Sequence, residues 1–294
     1  MSGDNSTRIR SAGRAARALV ALCTLAASAC AAAPGGGAHA LRLMSYNIAA
    51  GHGDLAQIGA VIRAAAPDVV ALQEVDVHWS ERSGFADQAA ALGQMLDMQV
   101  RFAPIYEVPT ADAAPQERRA PARQFGVAIL SRHPIVEFRN HIIPRLSTQT
   151  DDSEPRPLPG FLEAVIAVRG DRIHVFNTHL DYRADPRVRV QQVAAMLELM
   201  PEAVPLILMG DLNAPPAAGE LQPLLARLSD AWAGRQESGH TYPASTPDRR
   251  IDYILLSAHF TVSGARVVPA AASDHLPVVA DVLVNARRRW SIEP

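Results

Sequence analysis

Polar side chains stand where mostly apolar runs begin or end. Asn47 follows Leu43-Met44-Ser45-Tyr46, and Glu74 closes Val69-Val70-Ala71-Leu72-Gln73. His179 and Asp181 end the run through Val175-Phe176-Asn177-Thr178, and Asp211 and Asn213 follow Leu206-Ile207-Leu208-Met209-Gly210. Asp252 opens the run to Leu256, and Asp274-His275 opens the run from Leu276 to Val284. Carboxylates, amides and imidazoles are the groups that hold hard cations, orient or deprotonate water, and donate to oxyanions. Rigid strands that all deliver such groups at their ends would gather them along one edge of a sheet structure.

Composition removes other chemistries. All 28 basic residues are arginine, against 30 acidic residues. With no lysine there is no Schiff base, no P-loop lysine and no lysine base. The two cysteines, Cys23 and Cys30, both fall in the first forty residues, so the body of the chain holds no disulfide framework, CxxC redox pair or cysteine zinc site. Metal, carboxylate, imidazole and guanidinium chemistry remain. A formal net charge of −2 argues against a general electrostatic grip on nucleic acid.

The positioning elements are expected to be strands with a few helices. Strands are read at Leu41–Ile48 and Asp68–Leu72, and at about 98–106, 124–131, 135–142, 161–169 and 172–179. Further strands are read at Leu206–Met209 and near 251–257, 260–268 and 276–284. A helix capped by Asp54 buries Leu55, Ile58, Val61, Ile62 and Ala65 and stops before Pro67. A second spans Phe85–Leu96. A third runs from Arg187 to Met200 with Val190, Val193, Ala194 and Leu197 facing inward. Continuous apolar strands imply sheets covered on both faces. The fold class is therefore α/β, a four-layer sandwich of two packed mixed sheets flanked by helices. Two proline-rich segments, Pro109–Arg123 and Arg145–Pro159, are expected as long loops, either functional or plain insertions.

At this level the chain resembles the endonuclease/exonuclease/phosphatase superfamily, whose fold is the deoxyribonuclease I-like sandwich. The resemblance rests on Ser45-Tyr46-Asn47-Ile48, Gln73-Glu74-Val75, Gly126-Val127-Ala128-Ile129-Leu130-Ser131-Arg132 and Thr178-His179-Leu180-Asp181. It continues through Gly210-Asp211-Leu212-Asn213, Arg250-Ile251-Asp252-Tyr253-Ile254 and Ser273-Asp274-His275-Leu276-Pro277. The seven motifs keep their order over about residues 41–284. The resemblance implies hydrolysis of a phosphate ester with one or two Mg²⁺ or Mn²⁺ ions. It implies Glu74 as principal metal ligand with Asn47 and Asp274 near the ion, and Asp211 and Asp274 as extra ligands in a two-ion site. It implies Asp211 as the group that orients or deprotonates water, Asn213 and His179 as donors to the phosphate, and His275 supported by Asp252 as a dyad. Either Asp211 or His275 could be the base.

Arg183 and Arg189 are candidate substrate-binding residues, because His179-Leu180-Asp181-Tyr182-Arg183 followed by Arg189 and Gln192 resembles one bacterial branch of the family. So does Glu74-Val75-Asp76 followed by Arg82-Ser83-Gly84 and Asp87-Gln88. Arg183 could clamp phosphate or pair with Asp185. Arg118, Arg119, Arg123, Arg249 and Arg250 form either a substrate rim or a solvated face.

Residues 1–40 read as an export signal: Arg8, Arg10, Arg14 and Arg17, a small-residue apolar run, and an A-x-A site at Ala38-His39-Ala40. Ala27-Ser28-Ala29-Cys30 also resembles a lipobox, with Cys30 as a lipid anchor. Removing this segment takes four arginines and Asp4, leaving 24 basic and 29 acidic residues, a net of −5. Residues 41–285 are then one domain and 286–294 a basic tail. The expected protein is a periplasmic or secreted monomer without an obligate protein partner. Its substrate is a phosphate ester: a small molecule, a lipid headgroup or a nucleic acid. A secreted nuclease and a non-catalytic binding module on the same fold are the alternatives.

Overall fold

The structure is a computed structural model and describes residues 39–108 and 121–285. Residues 1–38 of the expected export segment, with Cys30, the arginines Arg118 and Arg119, and the tail from 286 lie outside these residues.

Alternation of side chains at period two builds the layers. In β1 (His39–Asn47), Leu41 and Leu43 point between the sheets while Met44 and Tyr46 point outward under helices. The other strands are β2 (Val69–Val77), β3 (Gln99–Val108), β4 (Arg123–Ser131), β5 (Ile135–Arg145), β6 (Arg156–Val168) and β7 (Asp171–His179). They are followed by β8 (Leu206–Asp211), β9 (Ser229–Asp230), β10 (Asp252–Leu256), β11 (Phe260–Val267) and β12 (Val278–Val284). One six-stranded sheet has the order β11-β12-β1-β2-β4-β3, the other β5-β6-β7-β8-β10-β9. Only β1/β2 and β7/β8 pair in parallel; the remaining neighbours are antiparallel. Both parallel pairs sit centrally, and β1, β7 and β8 end in Asn47, His179 and Asp211.

Three apolar clusters define four layers. One lies between the sheets, with Leu43, Val127, Ile166, Val175, Met209 and Val282. A second packs α1 (Leu55–Ala65) and α2 (Gln88–Leu96) on the first sheet, and a third packs α3 (Arg187–Leu199) and α4 (Gln222–Arg227) on the second. The expected sandwich is present.

Four local readings are corrected. The first strand begins at His39, whose pairing with Val284 starts the ladder two residues before the expected boundary. The proline-rich Arg145–Pro159 holds a loop shorter than expected: Ile143, Pro144 and Arg145 pair with Leu158, Pro157 and Arg156, leaving 146–155 as the loop between strand ends. Proline is tolerated there because β5 is an edge strand and β6 meets β7 only from Leu162 onward. The second helix starts at Gln88, with the Asp87 carboxylate accepting from the Ala90 N–H.

The third helix also presents a different face. Val188, Arg189, Gln192, Val193 and Met196 are buried, while Val190 is 50% exposed. Two polar residues occupy that face, Arg189 with hydrogen bonds that offset its burial and Gln192 anchored through its oxygen alone, its Nε2 having no partner among the described residues. Arg189 pairs with Glu220 and donates to the Asp181 and Arg183 carbonyls, and Gln192 Oε1 accepts the Asp181 N–H. The helix thereby clamps the loop that follows β7.

Candidate active site

Three adjacent strands of the second sheet set a row of groups in register. His179 of β7 lies opposite Asp211 of β8, and Asp211 lies opposite Asp252 of β10. Gly210 permits this close packing, since a Cβ there would stand 2.2 Å from the Thr178 carbonyl oxygen. His179 Nε2 is 3.4 Å from Asp211 Oδ2, and His275 Nε2 is 3.7 Å from the same oxygen. His275 Nδ1 is 2.9 Å from Asp252 Oδ2, which orients the imidazole. The loop carrying His275 is held by Ser273 Oγ donating to the Asn47 carbonyl and by the Leu276 N–H donating to Thr241 O. The Tyr242 ring lies against His275 with centroids 4.6 Å apart.

The first sheet delivers Glu74 by a different device. Glu74 does not close β2, which runs on to Val77; it sits inside it, at a bulge between Leu72 and Val75. Gln73 and Glu74 together face the single residue Val127, and Glu74 takes φ +55°. A bulge bends the strand and re-aims a side chain. Behind it, Gln73 Nε2 donates to Asn177 Oδ1, and Asn177 Nδ2 donates to the Leu72 and Ala128 carbonyls. This buried bridge ties the two sheets together directly beneath the site.

Asn47 joins the two halves. Its Nδ2 is 3.1 Å from Glu74 Oε1 and 3.1 Å from Asp211 Oδ2, while its Oδ1 accepts the Ala49 N–H. As it stands, Asn47 clamps two carboxylates and keeps its own oxygen on the backbone. Asn213, at φ +51°, donates its N–H to Asp211 Oδ1 and its Nδ2 to the Leu180 carbonyl. Asp274 is half-buried beside His275, with Ser273 Oγ as its one side-chain partner at 3.4 Å.

Electrostatics separates the acids. Burial, reinforced by Asp252, pushes the Asp211 carboxyl up against the lowering pull of His179 and His275. Burial works against the His275 imidazolium, yet Asp252, with Asp211 and Asp274 behind it, lifts it to about 9. Asp211, Asp252 and His275 offer ligand atoms within 4.8 Å of one another. The Nδ1 bond to Asp252 makes this trio a proton-handling set rather than a seat for a hard cation. Glu74 is better suited to such a cation: it is half-buried, and only one of its oxygens has a partner among the described residues. Oxygen donors from Glu74 and Asp274, with no cysteine among the described residues, fit a hard divalent ion that keeps several waters.

The candidate arginines stand apart from this centre. Arg183 pairs with Asp181, not Asp185, and reaches the Leu146 and Ser147 carbonyls. Arg189 is buried against Glu220, and Arg250 pairs with Asp230. Neither Arg183 nor Arg189 meets the Glu74–Asp211 centre. Sequence reasoning missed Arg145, which lines a cleft opening beside Glu74 and His179. Its Nη1 donates to the His179 carbonyl and its Nη2 to that of Gly160. Burial draws its pKa down to about 10, still charged at neutral pH. Nothing in a proline-rich stretch signals such a buried cation.

The fold and the site together define a deoxyribonuclease I-like hydrolase architecture. Residues 44–275 match the Endonuclease/Exonuclease/phosphatase family, and the chain belongs to it. Its members hydrolyse phosphoester bonds. An endonuclease/exonuclease/phosphatase from Beutenbergia cavernae is similar at 27% identity and TM-score 0.63, covering 84% of this chain and 72% of that one. A mannosyl-6-phosphatase from Bacteroides thetaiotaomicron shares the fold at 20% identity and TM-score 0.61, covering 82% and 99%. The human Nocturnin catalytic domain with bound sulfate shares it at 23% identity and TM-score 0.59, covering 83% and 93%. No curated protein sequence matches the chain.

Proposed function

We propose that the chain is an exported Mg²⁺- or Mn²⁺-dependent phosphoesterase that cleaves a phosphate mono- or diester by in-line attack of water. The observation that carries this reading is the Asn47 amide held at 3.1 Å from both Glu74 and Asp211, one acid from each sheet. It holds a cation ligand and a water-orienting carboxylate on one amide nitrogen, next to each other. When bound through Glu74 and Asp274, the ion supplies Lewis-acid stabilisation of charge on the phosphoryl and leaving oxygens. A second ion would draw on Asp211 and Asp274.

The chain's own residues do the rest. Asp211, held by Asn47 and the Asn213 N–H, orients the attacking water and accepts its proton. His275, fixed through Nδ1 by Asp252, presents a protonated Nε2 to the phosphoryl oxygens. His179 donates from the other flank of Asp211. Asn213 serves chiefly to hold the turn, since its amide is engaged by Leu180 O.

Small substrates are favoured over long polyanions. Arg82, Arg183, Arg189 and Arg250 are each engaged by a carboxylate, so they do not form a free basic track for nucleic acid. Export is proposed from the first forty residues. Because His39 and Ala40 already belong to β1, processing upstream of them, as at Cys30, leaves the domain whole. The test is a panel of DNA, RNA, sphingomyelin, phosphoinositides, nucleotides and an artificial diester with Mg²⁺ and Mn²⁺. Folded Glu74→Ala and Asp211→Ala variants are expected to lose activity on the best substrate. Full activity in both overturns the assignment, and failure of the wild type to bind either metal even with phosphate present favours the binding-module alternative.

A further inference from the structure

The cleft beside the catalytic centre contains a cation, Arg145, that no carboxylate among the described residues meets in an ion pair. The cleft shares Glu74 and His179 with the centre but not Asn47, Asp211, Asp252 or His275, so it extends to one side of it. Its volume is about 180 Å³. That is below the roughly 300–1,000 Å³ of pockets that take drug-sized ligands, and it suits one ring-sized group rather than a polymer. Ile105, Tyr106, Phe125, Leu146, Leu180 and Tyr182 give it apolar wall area, beside polar residues that include the acids Glu74 and Asp181. The Tyr106 and Phe125 rings are nearly parallel, 11° apart with centroids separated by 6.2 Å.

Arg145 is the odd residue in this lining. It is only 6% exposed. Of the five N–H groups of its guanidinium, two are spent on carbonyls, and Nε has no partner among the described residues. Charged groups this buried are ordinarily paired with an opposite charge. Asp181, the carboxylate whose field acts on Arg145, is instead hydrogen-bonded by Arg183 through both its backbone and its side chain. The seat is built: Gly160 takes φ +111°, where a Cβ would strike Ile105 at 2.2 Å, and thereby offers one of the two carbonyls that hold the guanidinium.

We propose that Arg145 recognises a second anionic group on the substrate, so that the preferred substrates are phosphate esters whose compact apolar part carries a further negative charge. This rests on the phosphoesterase reading above. The scissile phosphate lies among Glu74, Asp211 and His275; the flanking group enters the cleft, and its anion supplies the charge that Arg145 lacks. Arg145 also positions His179 through its carbonyl, so the test must separate binding from positioning.

Phenyl phosphates bearing a 3- or 4-carboxylate are compared with their neutral 3- and 4-carbamoyl isosteres. The wild type is expected to favour one carboxylate over its isostere by about tenfold in kcat/KM, expressed in KM. Arg145→Gln is expected to abolish that preference, whereas a purely structural role would lower both substrates alike and leave their ratio intact. Arg145→Lys keeps the charge without the planar fork, and is expected to retain part of the preference. No preference in the wild type at either ring position, or a preference undiminished in Arg145→Gln, overturns the proposal. If Arg145→Gln does not fold, an undiminished preference in Arg145→Lys overturns it instead. If the wild type turns over none of the four compounds, the phosphoesterase reading is decided separately by the wider substrate panel. Calorimetric binding of the same compounds then decides: an Arg145-dependent affinity for carboxylate over carboxamide sustains the inference, and equal affinities sink it.

Discussion

Two buried groups of histidines and acids, built on the same sheet, behave in opposite ways. On the outer face of the second sheet, Glu163 of β6 lies between His141 of β5 and His174 of β7, with each carboxylate oxygen 2.7 Å from one ring nitrogen. At the sheet's edge, Asp211 lies between His179 and Asp252, with His275 above. Burial raises the pKa of both carboxyls. For Glu163 the hydrogen bonds from two imidazoles win, and its carboxyl falls to about 2. For Asp211 the neighbouring Asp252 adds to burial, and its carboxyl rises. The first group satisfies its oxygens; the second leaves Asp252 Oδ1 without a partner and holds Asp211 only at longer range from the imidazoles. Acid outnumbered by base gives a closed structural clamp. Acid set against acid gives groups ready to bind a cation or exchange a proton.

Substitutions can break this comparison, beginning where the effect is largest. Asp211→Asn is expected to lower kcat by about 10³–10⁵-fold. It should leave the thermal midpoint equal or higher, since it removes the repulsion with Asp252. A large loss of stability with modest loss of turnover would place Asp211 with the structural group. Next, Asp252→Asn should lower kcat by about 10²–10⁴-fold, because His275 loses the partner that fixes its tautomer. Steady-state kinetics at saturating metal reads both.

Glu163→Gln tests the other half. Activity should be unchanged, and unfolding in urea should show a loss of about 1–2 kcal/mol at neutral pH. Because the folded-state carboxyl is depressed from 4.5 to about 2, its stabilisation is present above pH 4.5 and is lost as pH falls toward 2. The wild-type and variant stability curves should therefore converge over that interval, and parallel curves would refute the clamp. The smallest effect is expected at Arg183. Its partners are Asp181 and two carbonyls, so Arg183→Gln should change kcat/KM by less than about fivefold. A hundredfold loss would return Arg183 to the substrate site.

Much of this was legible along the chain, because apolar runs and the polar residues that punctuate them are local features. The strands carrying Asn47, His179, Asp211 and Asp252, and the loop carrying Asp274 and His275, follow from those runs. The ordered motifs supplied the family. Elements that depend on partners were harder. The inward face of α3 was misread because Arg189 and Gln192 are buried only by virtue of Glu220 and the backbone of the β7 loop. Likewise, the prolines of β6 stretched the expected loop beyond 146–155, because strand pairing at the sheet's edge claims Arg145 and 156–159.

The sequence by itself determined the layered sandwich, the absence of lysine and thiol chemistry from the domain, and the identity of the acids and imidazoles. Side-chain alternation and strand length are sufficient for that. Only the tertiary structure decided how those groups meet. The bulge that turns Glu74, the Asn47 amide spanning two sheets, the Gln73–Asn177 bridge beneath it and the unpaired guanidinium of Arg145 each join residues distant in the chain. Such contacts are set by packing and by the cost of burying unsatisfied polar groups, and no local pattern of residues carries them.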